Sequence, residues 1–267
     1  MSTATTVEPK IVSVRDGMWN VPVYRKGSGE PLLWLHAAGG LNRGWTPELE
    51  ALSQHYDVIA PVNPGWDDTG GLEDIDDIHD MVLFYQDFLD ALGLKQFNLA
   101  GHSIGAMFAA ELAAARPDLV KKLVLTCPVG LWMDETPVTD LFILLPKELP
   151  GVLFGDLSNP VIPTIFTPPA NEDEMAQSMY LQLTNFSAAG KFMWPIPDKG
   201  LKKRLHRISA PTLIIWGDQD KLAPPAYGDL FASKIKNSEL VKIPGAGHMV
   251  PLENTPAWSK AVTDFLG

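Results

Sequence analysis

The chain has 267 residues, of which 46% are hydrophobic and 20% charged, and its formal net charge is −11, so it suits one large core with at most a modest insertion. This acidity argues against a nucleic-acid partner or an anionic membrane surface, because both need a basic footprint. One cysteine, Cys127, allows no disulfide within the chain, and no signal peptide or membrane-spanning run is evident, so a cytoplasmic protein is expected.

Short apolar runs alternate with helix-length segments in the first half of the chain. Strands are predicted over residues 11–15, 21–24, 32–36, 57–60, 95–100 and 123–125, and helices over residues 47–53, 75–92 and 104–115. Most of these strands are almost continuously apolar, which is typical of a parallel sheet with both faces covered.

This rhythm stops between residues 130 and 200, where nine prolines are scattered among bulky apolar side chains. The segment is too apolar for a disordered linker, so an inserted set of short helices is predicted. The rhythm then resumes with helices over 201–208, 227–235 and 255–266 and strands over 212–216 and 240–243. We therefore expect a core of residues 1–129 and 200–267, interrupted by a cap of residues 130–199.

Between a predicted strand and a predicted helix lies Gly101-His102-Ser103-Ile104-Gly105, a Gly-x-Ser-x-Gly pattern. Glycines two residues before and two after the serine leave room for a strained turn, which would hold the hydroxyl above a helix N-terminus. Taken alone, the pattern is equally compatible with a glycine-rich turn that carries a surface serine.

A reactive serine needs a histidine base that a carboxylate orients. In a parallel sheet these partners belong in loops at the carboxyl ends of strands. Asp218 and Asp220 follow the strand predicted over 212–216, and His248 follows the strand predicted over 240–243. The chain order is therefore serine, aspartate, histidine.

Together with the serine motif, Trp216-Gly217-x-x-Asp220 and Gly245-x-Gly-His248 give the chain a resemblance to the α/β-hydrolase superfamily, in particular to capped carboxylesterases and meta-cleavage-product hydrolases. The resemblance implies an α/β fold with a mostly parallel eight-stranded sheet, helices on both faces and an inserted helical cap. It also implies roles for five residues: Ser103 as nucleophile, His248 as base, Asp220 as acid, and the backbone N–H groups of Ala38 and Ile104 as an oxyanion hole.

Two positions depart from the pattern of that superfamily. Ala37 stands where glycine is usual, and Val62 stands where aspartate is usual. An aspartate at position 62 would form hydrogen bonds within its loop, and valine cannot. We expect Asn63, Asp67 or Asp68 to form them instead, or the loop to be less tightly held. His36 is expected to brace the loop that follows it.

The identity of the nucleophile narrows the chemistry. A serine argues against dehalogenase and epoxide-hydrolase reactions, which need a carboxylate, and favours an acyl-enzyme. No metal cluster, dinucleotide fingerprint or phosphate loop is evident, so no cofactor is expected. The expected partner is a small-molecule ester, and the chain is expected to be a monomer or homodimer.

Several large side chains could line an apolar pocket over Ser103, although packing of the cap onto the core explains each of them equally well. This candidate pocket consists of His36, Trp132, Met133, Phe142, Phe154, Met179, Phe192 and Trp194. It favours a small to medium ester with an apolar or aromatic part.

The sequence leaves other functions open. The same scaffold supports hydrolysis of carbon–carbon bonds in aromatic ring-cleavage products, and also lactone or thioester hydrolysis, perhydrolysis and cofactor-free oxygen chemistry. A non-catalytic ligand receptor that kept the pocket is the alternative from another functional class. Fold resemblance by itself does not identify the substrate.

Overall fold

The computed structural model describes residues 7–166, 169–195 and 198–267. Eight strands form one sheet in the order β1-β2-β4-β3-β5-β6-β7-β8. Their bounds are β1 Lys10–Val14, β2 Trp19–Lys26, β3 Pro31–Leu35, β4 Asp57–Pro61, β5 Phe97–His102, β6 Val120–Thr126, β7 Thr212–Gly217 and β8 Ser238–Ile243. The pairs β1–β2 and β2–β4 are antiparallel and the other pairs are parallel, which confirms the predicted sheet.

Helices surround this sheet. Their bounds are α1 Pro47–Ser53, α2 Ile78–Leu92, α3 Ile104–Ala115, α4 Leu149–Leu153, α5 Ile162–Ile165, α6 Glu172–Met193, α7 Ala226–Lys234, α8 Val250–Glu253 and α9 Thr255–Leu266. All six residues of β5 and of β7 are buried, because helices cover both faces of the central strands. Among these helices, none in the described parts of the chain has the length and apolar character needed to cross a membrane.

Two predicted helical segments differ from the structure. Residues 201–208 form two 3₁₀ helices, Leu201–Lys203 and Leu205–Arg207, instead of one α-helix. The inserted segment contains α6, a helix of 22 residues, where only short helices were predicted. The scattered prolines suggested short elements, but the stretch that forms α6 contains none.

The start of α6 has a clear local cause. Asn171 accepts a hydrogen bond from the N–H of Glu174 at 2.9 Å, and its side-chain amide donates to the Glu174 carboxylate at 3.1 Å. Three acidic residues in the first turn also complement the positive end of the helix. This capping signal was present in the sequence.

The inserted segment joins the core next to β8. Glu253 accepts a hydrogen bond from the Gly155 N–H at 2.7 Å and another from the Gly247 N–H. Gly155 lies so close to the opposite loop that a Cβ there would be 2.3 Å from the Gly245 carbonyl oxygen. The end of α4 is therefore fastened directly to the loop that follows β8. The borders of the cap at residues 130 and 199 stay a prediction.

Candidate active site

A sharp turn between β5 and α3 holds Ser103. Its backbone angles, φ 58° and ψ −119°, lie outside the regions that most residues prefer. The turn also needs both flanking glycines, since a Cβ on Gly101 would lie 2.5 Å from the Gly105 oxygen, and a Cβ on Gly105 would lie 2.1 Å from the Leu35 oxygen. The strain is therefore maintained by close backbone packing, and it places the hydroxyl at the N-terminus of α3.

Ser103 begins a short chain of hydrogen bonds. Its Oγ lies 2.8 Å from His248 Nε2, and His248 Nδ1 lies 2.8 Å from Asp220 Oδ2. The other carboxylate oxygen of Asp220 accepts hydrogen bonds from the N–H groups of Leu222 and Ala223, both at 2.9 Å. The Nδ1–H of His248 thus points at Asp220, which leaves Nε2 free to accept the serine proton.

A second histidine, His102, supports the loop that carries His248. His102 Nε2 donates a hydrogen bond to the His248 carbonyl oxygen at 2.8 Å. Burial, reinforced by the neighbouring His248, lowers the pKa of His102 to about 3, so this ring is neutral at physiological pH. His102 is therefore a neutral donor that fixes the backbone of His248.

Ala38 and Ile104, the predicted oxyanion-hole residues, belong to the two segments that meet at Ser103. Ile104 is the first residue of α3, and Ala38 follows β3 on the wall of the same cavity as Ser103. Across the described residues, neither N–H donates to another protein group. Two free donors beside a serine could stabilise a developing oxyanion. Ala37 does not lie in the left-handed region, so its methyl group adds no backbone strain.

His36 joins the two loops that depart from the superfamily pattern. Its Nδ1 donates to the Ala37 carbonyl oxygen at 2.8 Å, and its Nε2 accepts from the Asn63 N–H at 3.1 Å. This pattern requires a neutral ring, and burial lowers the pKa of His36 accordingly. Val62 is buried, and the connection is made by the backbone N–H of the next residue, Asn63.

Asp67 and Trp66 form further hydrogen bonds with the loop that contains Ala38. Asp67 Oδ2 accepts from the Leu41 N–H at 2.5 Å, and Trp66 Nε1 donates to the Ala38 carbonyl oxygen at 3.0 Å. Asn185 of α6 adds bonds to the Asp67 N–H at 2.7 Å and to its Oδ1 at 2.8 Å. The inserted segment thus helps to set the position of the candidate oxyanion hole.

Ser103 and His248 open onto a cavity of about 540 Å³, the size of a site for a small or medium ligand. The inserted segment supplies much of its apolar wall, including Leu141, Leu149, Pro150, Leu153, Phe166 and Phe186. A polar part of the wall comes from the segment around α1, with Arg43, Thr46 and Glu48.

The amino-acid sequence was compared with models of known protein families. Residues 32–260 match the alpha/beta hydrolase family, which covers most of the chain and all of the residues that surround Ser103. The chain belongs to the alpha/beta hydrolase family. The resemblance inferred from the sequence motifs is therefore confirmed.

Relatives of this hydrolase differ in what their names say they act on. It is 26% identical to the 2-hydroxy-6-oxo-6-phenylhexa-2,4-dienoate hydrolase of Burkholderia cepacia, over 100% of this chain and 98% of that protein. It is 27% identical to the human monoacylglycerol lipase ABHD6, over 91% of this chain and 77% of that protein. The solved structure of a bacterial membrane phospholipase A superposes with a TM-score of 0.79 at 21% identity, over 98% of this chain and 86% of the other, which shows a shared fold alone.

The cavity of this hydrolase differs from the pocket predicted from the sequence. Of the predicted residues, His36 lies on the wall. Phe192 instead stacks on Trp66 and contacts Phe108 in the core, and Phe154 is buried behind Phe166. The prediction recognised that these side chains are apolar, but apolar character does not separate a cavity wall from the packing behind it.

The remaining predicted pocket residues also lie away from the cavity wall. Met179 and Trp194 are more than half exposed to solvent. Phe142 packs behind Phe186, while Trp132 donates its indole N–H to Asp134 and the backbone N–H of Met133 donates to Tyr227. These five residues are corrections to the predicted pocket.

Sequence reasoning missed the polar residues of this hydrolase's cavity. Glu48 lies in the first turn of a short helix, where an acidic residue is ordinary, so nothing in the sequence separates it from Glu50. Asn185 occupies the middle of α6, and no local pattern predicts its bonds to Asp67. Both depend on contacts between distant parts of the chain.

One group of potential metal ligands lies within the described residues. Cys127 Sγ, an oxygen of Asp220 and a nitrogen of His248 lie within 4.8 Å of one another. The pKa of the Cys127 thiol is raised, first by burial and then by the charge of Asp220, so the thiol stays protonated. The facing atoms of Asp220 and His248 already bond to each other, so this group fits packing around the carboxylate better than a metal site.

Proposed function

We propose that this hydrolase cleaves carboxylic esters through an acyl-enzyme, with Ser103 as nucleophile, His248 as base and Asp220 as the acid that orients His248. The observation that carries the proposal is the continuous Ser103–His248–Asp220 hydrogen-bond chain, with 2.8 Å at each step, at the wall of a cavity. This order of donors and acceptors matches what a serine nucleophile requires.

The first half of the reaction follows from these contacts. His248 Nε2 takes the proton of Ser103 as Oγ attacks the ester carbonyl carbon. Negative charge develops on the carbonyl oxygen, where the N–H groups of Ala38 and Ile104 can stabilise it. The protonated His248, held by Asp220, then gives its proton to the departing alcohol, and the acyl group stays on Ser103.

The second half uses the same groups with water as nucleophile. His248 takes a proton from water, the resulting hydroxide attacks the acyl-enzyme, and the same N–H groups stabilise the second oxyanion. His248 then returns the proton to Ser103 as the carboxylic acid leaves. Both halves need His248 Nε2 to be free to accept a proton.

A short p-nitrophenyl ester tests the proposal. The wild-type protein is expected to hydrolyse it, and Ser103→Ala is expected to lower kcat by about 10⁴-fold or more. Ser209→Ala, which changes an exposed serine, is the matched control and is expected to keep wild-type activity. If Ser103→Ala kept its activity with an unchanged circular-dichroism spectrum, the assignment of the nucleophile would be wrong.

Hydrolysis of a carbon–carbon bond is the second candidate function. It is favoured by the match over the whole chain to a relative named 2-hydroxy-6-oxo-6-phenylhexa-2,4-dienoate hydrolase. The two candidates separate when kcat/KM is measured for that dienoate and for a simple ester of similar size. A preference for the dienoate by a factor of ten or more would favour the second candidate, whereas tight binding of both compounds without turnover would point to a ligand receptor.

A further inference from the structure

Asn185 is a buried side chain of the inserted segment that bonds to two loops of the core. It lies in α6 and is 1% exposed. Its side-chain nitrogen donates to the Gly39 carbonyl oxygen at 3.0 Å and to Asp67 Oδ1 at 2.8 Å, while its oxygen accepts from the Asp67 N–H at 2.7 Å. The polar atoms of this side chain are therefore all engaged with the core.

Both partners of Asn185 act on the loop that follows β3. Gly39 is the residue directly after Ala38, whose N–H is the candidate oxyanion-hole donor. Asp67 uses its other carboxylate oxygen to accept from the Leu41 N–H at 2.5 Å. Asn185 thus holds this loop at Gly39 directly and at Leu41 through Asp67.

This arrangement requires an amide side chain. One N–H group and two oxygen acceptors meet at the end of Asn185, and a primary amide supplies the matching oxygen and two N–H donors. A carboxylate there would lie beside the carboxylate of Asp67, and an apolar side chain would remove all three bonds. The contact is therefore specific to asparagine rather than a matter of filling space.

Two other contacts fasten α6 to the same part of the core. Tyr180 donates its hydroxyl to Asp68 Oδ1 at 2.6 Å, and Lys191 Nζ donates to the Leu72 carbonyl oxygen at 2.9 Å. Within the described residues, neither Asp68 nor Leu72 bonds to residues 37–41. These contacts hold α6 in place without reaching the loop of Ala38, so they offer matched controls for Asn185.

We propose that Asn185 is a positioning residue for the oxyanion hole, which acts through Gly39 and Asp67 on the direction of the Ala38 N–H. The inserted segment then contributes to turnover as well as to the cavity wall. Negative charge on the substrate oxygen develops only as Ser103 attacks, so the bonds of Asn185 matter more in the transition state than in the bound substrate. This inference rests on the ester hydrolysis proposed above.

Hydrolysis of p-nitrophenyl butyrate tests the proposal. Asn185→Ala is expected to lower kcat by about 10–100-fold, which is less than the loss of an oxyanion-hole donor causes, because the Ala38 N–H is still present but misaligned. Tyr180→Phe removes the bond to Asp68, and Ser187→Ala changes an exposed residue of α6. Both controls are expected to keep kcat within about twofold of the wild-type value.

A pair of inhibitors separates alignment of the oxyanion hole from general damage to the cavity. A trifluoromethyl alkyl ketone adds to Ser103 and forms a negatively charged oxygen, whereas the alcohol made by reducing that ketone occupies the cavity without reacting. For Asn185→Ala, the Ki of the ketone should rise by the factor by which kcat/KM falls, and the Ki of the alcohol should stay within about twofold of the wild-type value.

Two further variants keep the test decisive if Asn185→Ala does not fold. Asn185→Asp keeps the shape of the side chain and the acceptor for the Asp67 N–H, and a similar loss of kcat is expected. Combining it with Asp67→Asn lets the amide at position 67 donate to the carboxylate at position 185, with no change in net charge. The kcat of this double variant should lie between those of Asn185→Asp and the wild type, because the bond to Gly39 is not restored.

The possible failures are distinguishable. If p-nitrophenyl butyrate is not hydrolysed through Ser103, the proposed ester hydrolysis is wrong. If it is, but folded Asn185 variants keep kcat within about twofold of the wild-type value, the inference about Asn185 alone is overturned. An equal loss in Tyr180→Phe, an equal rise in both inhibition constants, or a double variant no faster than Asn185→Asp would overturn it as well.

Discussion

The two polar parts of the cavity wall differ in how completely the protein satisfies them. In the Ser103–His248–Asp220 chain, both imidazole nitrogens and both carboxylate oxygens have partners at 2.8–2.9 Å. In the segment around α1, the buried carboxyl group of Glu48 faces the side chain of Thr46 and the charge of Arg43, and burial raises its pKa to about 7. The first arrangement is fully bonded within the protein, whereas the second contains a buried carboxyl group that is partly protonated at neutral pH. The comparison indicates that the first set of groups is the one organised for chemistry.

The largest effect on activity is expected when the charge of Asp220, which is fully hydrogen-bonded, is removed. Asp220→Asn is expected to lower kcat for an ester by about 10⁴-fold, because the amide favours the tautomer of His248 that cannot accept the serine proton. Asp218→Asn is the matched control: this exposed neighbour uses one oxygen to accept from Gly245 at 2.8 Å, and the amide oxygen can do the same. Steady-state kinetics of both variants check the prediction. Equal losses in the two would mean that Asp220 acts only through the loop.

A smaller effect is expected where the inserted segment meets the His248 loop. Gly155→Ala places a methyl group 2.3 Å from the Gly245 oxygen, with only backbone atoms available to move, and should lower the free energy of unfolding by about 1–3 kcal/mol. Gly151→Ala lies in the same segment with open space around it, so it should leave stability unchanged or slightly raised. Urea melts of the two variants measure the difference, and similar midpoints would contradict the close packing described at Gly155.

The smallest expected effect is on the free energy of unfolding at acid pH. The pKa of His102 is about 3 in the folded protein, mainly because of burial, against an ordinary value of 6.5. The unfolded chain therefore binds one more proton between these values, and His102 lowers stability as pH falls below about 6.5. Relative to His102→Gln, the wild type should lose about 1–2 kcal/mol more between pH 6.5 and pH 5.

Urea melts at the two pH values check this, with His79→Gln as the control because His79 is exposed. The control should reproduce the wild-type pH dependence. If His102→Gln also reproduced it, His102 would have to be charged in the folded protein, and its role as a neutral donor to His248 would be wrong.

Local sequence patterns predicted the sheet well because the apolar runs in the sequence are the strands that the tertiary structure buries. The apolar runs of β3, β5, β6 and β7 are strands that helices cover on both faces, so hydrophobicity and fold agree there. The positions of Ser103, Asp220 and His248 at strand ends were predictable for the same reason. The motifs around them are short, and the parallel sheet brings their loops to one edge.

The cavity wall could not be predicted in this way. Phe192 and Leu149 are both apolar residues of the inserted segment, yet one stacks on Trp66 in the core and the other faces the cavity. Which of the two faces the cavity depends on how the helices of the inserted segment pack on the core, and the sequence carries no short-range signal for that packing. Glu48 illustrates the same limit, since it is buried whereas Glu50, two residues later in the same short helix, is only half-buried.

Glu253 has a mechanical consequence for substrate entry. Its two carboxylate oxygens connect the Gly155 N–H with the Gly247 N–H, one residue before His248. A movement that swung α4 outward would also displace the loop that carries His248. Substrate entry by an outward movement of α4 would therefore disturb the position of His248.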